Sequence, residues 1–332
     1  MENEIPPDSN IEERDSTAPV LETAQPLNES AVNAAAETGD TPDAEPEGRL
    51  ANEGAAAVAY NTEPQAERDT FTLLGGTPPS PGPVEWKGLD VLFFLLFSAV
   101  WLVLSQFLSL AGYAVLRPLM GWRTPASDLA RGDNAIFVVA AQLVFYAPVF
   151  LYIVLVVVLQ YHQTFSVGIR WRWPNFRQGV RFLLAGVLLA MVVLAGSALL
   201  PDRKDFPMEK LFTSPSAVYA VGGLAVLIAP FMEELVFRGV LFSFFERLGG
   251  FRIAVPLTAL LFAALHYPEY AGAWTHVSMI LVVGLVLSVA RAATRSLVPS
   301  FLLHTAYNAT FIGLLFLGTH GFQNLRGIAG AP

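Results

Sequence analysis

Residues Leu211–Phe245 read LFTSPSAVYAVGGLAVLIAPFMEELVFRGVLFSFF. The first 22 of them, through Met232, carry no charge, and the apolar character continues to Phe245. A helix of about 20 such residues crosses the ~30 Å hydrocarbon core of a bilayer. Yet the stretch also holds two adjacent carboxylates, Glu233 and Glu234, and a guanidinium, Arg238. Ionisable groups deep in a membrane helix are costly, and by default they mark function or a compensating partner.

The same apolar character recurs along the body of the chain. Charge-free runs cover Val91–Leu116 (26 residues), Ala135–Tyr161 (27), Phe182–Pro201 (20), Tyr270–Ala290 (21) and Ser296–Leu325 (30). Ile253–His266 is shorter, and reads as a tilted span or one extended back to Gly249. These runs predict seven spans, or eight if Leu211–Phe245 breaks near Gly222-Gly223 or Pro230. Backbone groups in lipid must be bonded within the chain, so spans of this length are helices and not barrel strands. The predicted fold is an all-α polytopic membrane protein. Its mean hydropathy of +0.49 agrees, although a polar N-terminal quarter dilutes it. The chain has no cysteine, which excludes disulfides and Cys-ligated zinc.

Charge divides the chain in two. Before Trp86 there are 18 acidic and three basic residues, a net −15; from Trp86 onward there are 10 acidic and 17 basic, a net +7. Residues 1–85 are rich in Ala, Glu, Pro, Asn and Thr and poor in aromatics. Such a segment buries too little apolar surface to offset chain entropy, so it is expected to be a disordered acidic tail. TPPSPGP (Thr77–Pro83) reads as a stiff spacer within it. Its first residues lack a basic n-region and an apolar core, so no signal peptide is expected. The expected layout is thus tail 1–85, helical membrane domain 86–320 and short C-terminal tail 321–332. Basic residues are spread singly through loops, which suits a bilayer carrying anionic lipid and not nucleic acid. IRWRWPNFRQGVR (Ile169–Arg181) is basic and tryptophan-rich, as a juxtamembrane segment is. With seven spans it places the N-terminal tail on the cytoplasmic side of an integral, multi-pass protein.

The polar residues inside the spans fall on three helices. Glu234 and Arg238 are spaced i, i+4, acid before base, the favourable order for a pair on one helix face. Glu233 is turned by about 100° from Glu234 and faces Arg238 poorly. Glu234 can therefore be held ionised by Arg238, which leaves Glu233 as the candidate general base. Gly239 would permit close approach of a neighbouring helix. On the next helix Phe262 and His266 are i, i+4, and Tyr267-Pro268 ends the helix at about His266. On the last, His304 and Asn308 are again i, i+4. Asp90 and Glu246 sit near span ends, within reach of water. Taken singly, each feature has a plain structural reading. Glu234–Arg238 could be a packing ion pair, His266 an end cap and Asn308 interhelical glue. The coincidence of all three pairs, in order, favours a site. Converging, they could activate a water and hydrogen-bond a developing oxyanion, the parts needed for amide hydrolysis. A Glu233/His266/His304 metal site, for zinc for example, is also chemically reasonable, although no HExxH motif is present.

EELVFR (Glu233–Arg238) matches EExxxR, FAALH (Phe262–His266) matches FxxxH, and HTAYN (His304–Asn308) matches HxxxN. In these motifs and their order, residues 86–320 resemble the CAAX-protease and bacteriocin-processing family, also called the Abi family. The resemblance implies an intramembrane endopeptidase acting on a peptide or membrane-protein substrate. Glu233 would activate the water with help from His266, His304 and Asn308 would stabilise the oxyanion, and Glu234 and Arg238 would organise the site. The family has been described both as metal-dependent and as metal-free, and the absence of an established zinc motif favours the second. Two rival functions fit the same residues: an ion-coupled transporter, which intramembrane carboxylates and histidines also mark, and a non-catalytic binding or bacteriocin-immunity protein of the same fold.

Overall fold

A computed structural model describes residues 83–125, 129, 134–199, 211–212, 214–270 and 273–325. The expected acidic tail, up to residue 82, and the end of the chain from residue 326 lie outside the described residues. Val84 is already packed. It is buried, its N–H donates to Gly168 O at 3.3 Å, and Trp86 beside it is fully buried.

Seven apolar helices follow, and no strand occurs among the described residues. We number them α1 (Gly88–Met120), α2 (Ala135–Gln160), α3 (Phe176–Ser197), α4 (Pro215–Gly249), α5 (Phe251–Leu265), α6 (Trp274–Thr294) and α7 (Leu297–Gly318). All except α5 are long and apolar enough to cross a membrane. At 15 residues α5 spans about 22 Å. The protein is an integral, multi-pass membrane protein. Large apolar side chains such as Phe93, Phe107, Leu188 and Leu260 are exposed on the helix surfaces, as lipid-facing groups are.

Local chemistry sets the helix ends. Asn134 and Asn175 cap α2 and α3, accepting from the N–H groups of Phe137 and Gln178 at 2.9 Å each. Ser214 Oγ accepts from Ala217 N–H, and Pro215 occupies the first turn of α4, where its missing N–H costs nothing. Gly250, at φ +67°, turns the chain from α4 into α5. Tyr267-Pro268 ends α5, with His266 as its C-cap. Asp90 does not rest in water as expected. It accepts from Gln160 Nε2 at 2.8 Å and from Tyr161 Oη, which ties the start of α1 to the end of α2.

The helix α4 does not break at Gly222-Gly223 or at Pro230, so it does not supply an eighth span among the described residues. It instead carries two π-helical segments, Leu224–Ile228 and Leu235–Leu241, within one continuous rod. The charge-free run at the end overshoots its helix: α7 stops at Gly318. The chain then reverses so that Phe322 and Leu325 pack against Val218 of α4. The expected C-terminal tail is therefore packed as far as Leu325.

Two glycines bring one helix against the backbone of another. A Cβ on Gly186 of α3 would lie 2.3 Å from Leu303 O of α7, and one on Gly284 of α6 would lie 3.2 Å from Ala259 O of α5. Gly239 has no such role, because a Cβ there would meet only Leu235 and Glu234 of its own helix. Gly186→Ala should therefore destabilise the protein in detergent by about 1–3 kcal/mol through overpacking. Gly223→Ala, with nothing within 4 Å of the added methyl, should be neutral or mildly stabilising. Equal thermal unfolding of the two variants would contradict this packing.

Candidate active site

Glu234 and Arg238 form the buried centre of the bundle, and both side chains are fully enclosed. Arg238 Nη1 donates to Glu234 Oε1 at 3.0 Å, as the i, i+4 spacing predicts. Its Nη2 donates to Gly284 O of α6 at 3.0 Å. Its guanidinium lies over the Phe262 ring of α5, 4.6 Å from the centroid, within cation–π range. One arginine thus joins α4 to α5 and α6.

The same carboxylate holds α7. His304 Nδ1 is 3.0 Å from Glu234 Oε1. An ionised carboxylate can only accept, so Nδ1 carries the hydrogen and donates it. Nε2 is then the nitrogen left facing Glu233, with Oε2 at 3.6 Å. That is longer than a hydrogen bond, and such contacts commonly tighten when a substrate binds. Glu233 is 22 % exposed where Glu234 is sealed, so of the two carboxylates it is the one a water can reach.

His266, at the end of α5, donates from Nδ1 to Phe262 O at 2.7 Å, since a carbonyl oxygen only accepts. Its Nε2 is free of that bond. The Phe262 ring touches both imidazoles, its centroid 4.5 Å from that of His266 and 5.8 Å from that of His304. Asn308 is engaged differently from the expectation. Its Nδ2 donates to Ala225 O of α4 at 2.7 Å. That carbonyl needs a partner because the π-turn sends Ala229 N–H to Leu224 O, and the next residue, Pro230, has no N–H to offer.

Three residues that the sequence reading left out belong to these surroundings. Glu269, in the turn after His266, lies close enough for its charge to act on both Glu233 and His266. Protein atoms crowd its carboxyl although part stays open, and this desolvation pushes its pKa above the usual value, with His266 pulling it back. Tyr146 of α2 is within electrostatic reach of both Glu233 and Glu269. Arg291 is fully buried on α6, and its Nε donates to Arg238 O at 3.2 Å. The charge-free run ends at Ala290, which makes Arg291 look like a loop residue. The helical period shows otherwise, because Gly284, Leu287, Ser288 and Arg291 share one face at i, i+3, i+4 and i+7, and that face is buried.

Among the described residues, no group of three His, Asp or Glu side chains could hold a metal ion. Glu233, His266 and His304 do not form such a group, so the steps derived below use only the chain's own groups.

Helices α4, α5 and α7 carry the three sequence motifs, with His266 as the C-cap of α5. Residues 215–310 match the family model described as Rce1-like, Type II CAAX prenyl endopeptidase Rce1-like. The match includes all seven motif residues and agrees with the CAAX-protease family that the motifs resemble. Over 144 residues the chain is 35 % identical to a protein of Escherichia coli described as "Uncharacterized 24.3 kDa protein". That alignment covers 42 % of this chain and 64 % of the relative, just under two thirds of its length. No solved structure matches the chain.

Arg238→Ala should leave the Glu234 charge buried without its partner, at a cost of about 3–5 kcal/mol. Arg238→Lys should recover only part of this, since one ammonium lacks the fork that reaches Glu234 and Gly284 O together. Thermal unfolding in detergent measures both, and an Arg238→Ala protein that melts like wild type would refute the clamp.

Proposed function

We propose that the protein is an intramembrane endopeptidase of CAAX type, with Glu233 as the general base. The observation that carries this reading is the relay Arg238–Glu234–His304, which ends with His304 Nε2 facing Glu233. Its logic is that of a nucleophilic triad with water as the nucleophile. A buried carboxylate fixes one imidazole nitrogen, so that the other is aimed at the proton in flight.

A water between Glu233 and His266 gives one proton to the Glu233 carboxylate, while His266 Nε2 accepts a hydrogen bond from its other hydrogen. The hydroxide oxygen bonds to the carbonyl carbon of the scissile amide, and the C=O electrons move to the oxygen. The free amide hydrogen of Asn308 is the donor proposed for that oxyanion, the other being engaged by Ala225 O. Glu233 passes its proton to His304 Nε2, where the imidazolium is stabilised by Glu234 on its far side. The oxyanion electrons then re-form the C=O bond as the C–N bond breaks and His304 protonates the leaving amine, which yields the acid and the amine and returns each group to its starting state.

The test compares protein termini in membranes of cells carrying wild type or Glu233→Gln, which keeps the shape and removes the base. Termini produced only by wild type are expected, and they would name the substrates. Identical termini, with equal amounts of both proteins, would contradict proteolysis and favour the binding or immunity function.

A further inference from the structure

At one end of the bundle α4 and α6 finish, α7 begins, and the connection from α2 to α3 crosses beside them. A cavity of about 450 Å³ lies there, within the size range of ligand pockets. Arg170, Arg172, Arg247 and Arg295 line it, with Ser243 and Glu246 between them. Behind Ser243 stands Arg291, fully buried, with Nη2 donating to Ser243 Oγ at 3.3 Å. Its Nη1 has no hydrogen-bond partner, and the buried Nε of Arg170 has none either. Five guanidinium groups therefore meet two carboxylates, Glu246, paired with Arg170 at 2.9 Å, and Glu85. Buried donors without acceptors, beside an excess of positive charge, lack a compensating anion.

The cluster is held in place before any ligand arrives. Ser296 Oγ donates to Arg172 O at 2.7 Å, and Leu297 N–H donates to Arg170 O at 3.0 Å. Arg172 Nη2 donates to Arg295 O at 3.1 Å. Both Arg170 and Arg295 adopt left-handed backbone conformations, at φ +56° and +51°. Guanidinium forks fixed in this way suit the oxygens of a phosphate, which they bind in pairs. Trp173, Phe176 and Leu248 are exposed at the same helix ends, so the cavity sits where apolar side chains meet the headgroup layer.

We propose that this cavity binds a phosphate-bearing anion, supplied by the membrane as the headgroup of an acidic phospholipid. An occupant would supply acceptors to the arginines that line the cavity and would meet Ser243, the partner of Arg291. Because Arg291 also holds Arg238 O, it would brace α4 beside the catalytic motif.

The test uses the full-length protein in non-ionic detergent at constant ionic strength, reading Tm during addition of phosphatidylglycerol, phosphatidylcholine or inorganic phosphate. Ligand that binds only the folded state raises Tm in a saturable manner. Phosphatidylglycerol is expected to raise it by several degrees and phosphatidylcholine not at all. The double variant Arg247→Gln/Arg295→Asn should lose most of that shift, Asn being tolerated in the left-handed conformation. Arg172→Gln, assayed separately, should also reduce the shift and guards against misfolding of the double variant. A shift with inorganic phosphate of equal size would keep the phosphate site and transfer its source from lipid to water. An equal shift with phosphatidylcholine, no shift at all, or a shift undiminished in folded variants would overturn the proposal.

Discussion

A charge sealed inside this bundle has no water to turn to, and the Arg238–Glu234 pair resolves that constraint for four helices at once. Each partner is fully buried, so each depends on the other and on the groups around the pair. Arg238 uses its fork on Glu234 and on Gly284 O, and its face on Phe262. Glu234 uses the same oxygen for Arg238 and His304. Helices α4, α5, α6 and α7 are thereby joined through one ion pair. Glu233, one residue away, is excluded from that pair by the helical rotation and left partly open. The adjacent carboxylates thus take separate roles because they point in different directions.

The two π-helical segments of α4 are part of the same arrangement. A π-turn shifts the backbone register and frees a carbonyl, and such turns recur at functional sites. In the first, Pro230 makes the vacancy at Ala225 O certain, and Asn308 of α7 fills it. In the second, Phe242 N–H goes to Phe237 O, and Arg291 of α6 donates to the next carbonyl, that of Arg238. Side chains from neighbouring helices thus complete the α4 backbone on both sides of the Glu-Glu dipeptide. Asn308 and Arg291 therefore hold the rod that carries Glu233, and the oxyanion role proposed for Asn308 rests on its second amide hydrogen alone.

Membrane class and helix number were legible because hydropathy is a property of composition over about 20 residues, which the chain states directly. The Glu234–Arg238 pair was legible from its i, i+4 spacing together with the cost of unpaired charge in lipid, whereas the approach of His304 from another helix was not. Backbone register was not legible: nothing in Leu224–Ile228 or Leu235–Leu241 announces a π-turn, so the partner of Asn308 went unseen. Close approach was misplaced for a related reason. Gly239, Gly186 and Gly284 look alike in sequence, and only the crossing points of the helices separate them. Asp90 was judged by its distance along the chain from a span end, and Arg291 was passed over beyond one, whereas the packing of Tyr161 and Ser243 against them decides their surroundings. The arginine cavity draws on residues from positions 83 to 295, and no local pattern gathers them.

The central claim is that Glu234 fixes the tautomer of His304 and so aims Nε2 at Glu233. Nitrogen-15 NMR of the histidine side chains tests it most directly, since the protein contains only five histidines and His304→Gln identifies the relevant signals. The account predicts that Nδ1 of His304 carries a hydrogen in the resting protein. A His304 protonated at Nε2 alone, with Nδ1 bare, would contradict it.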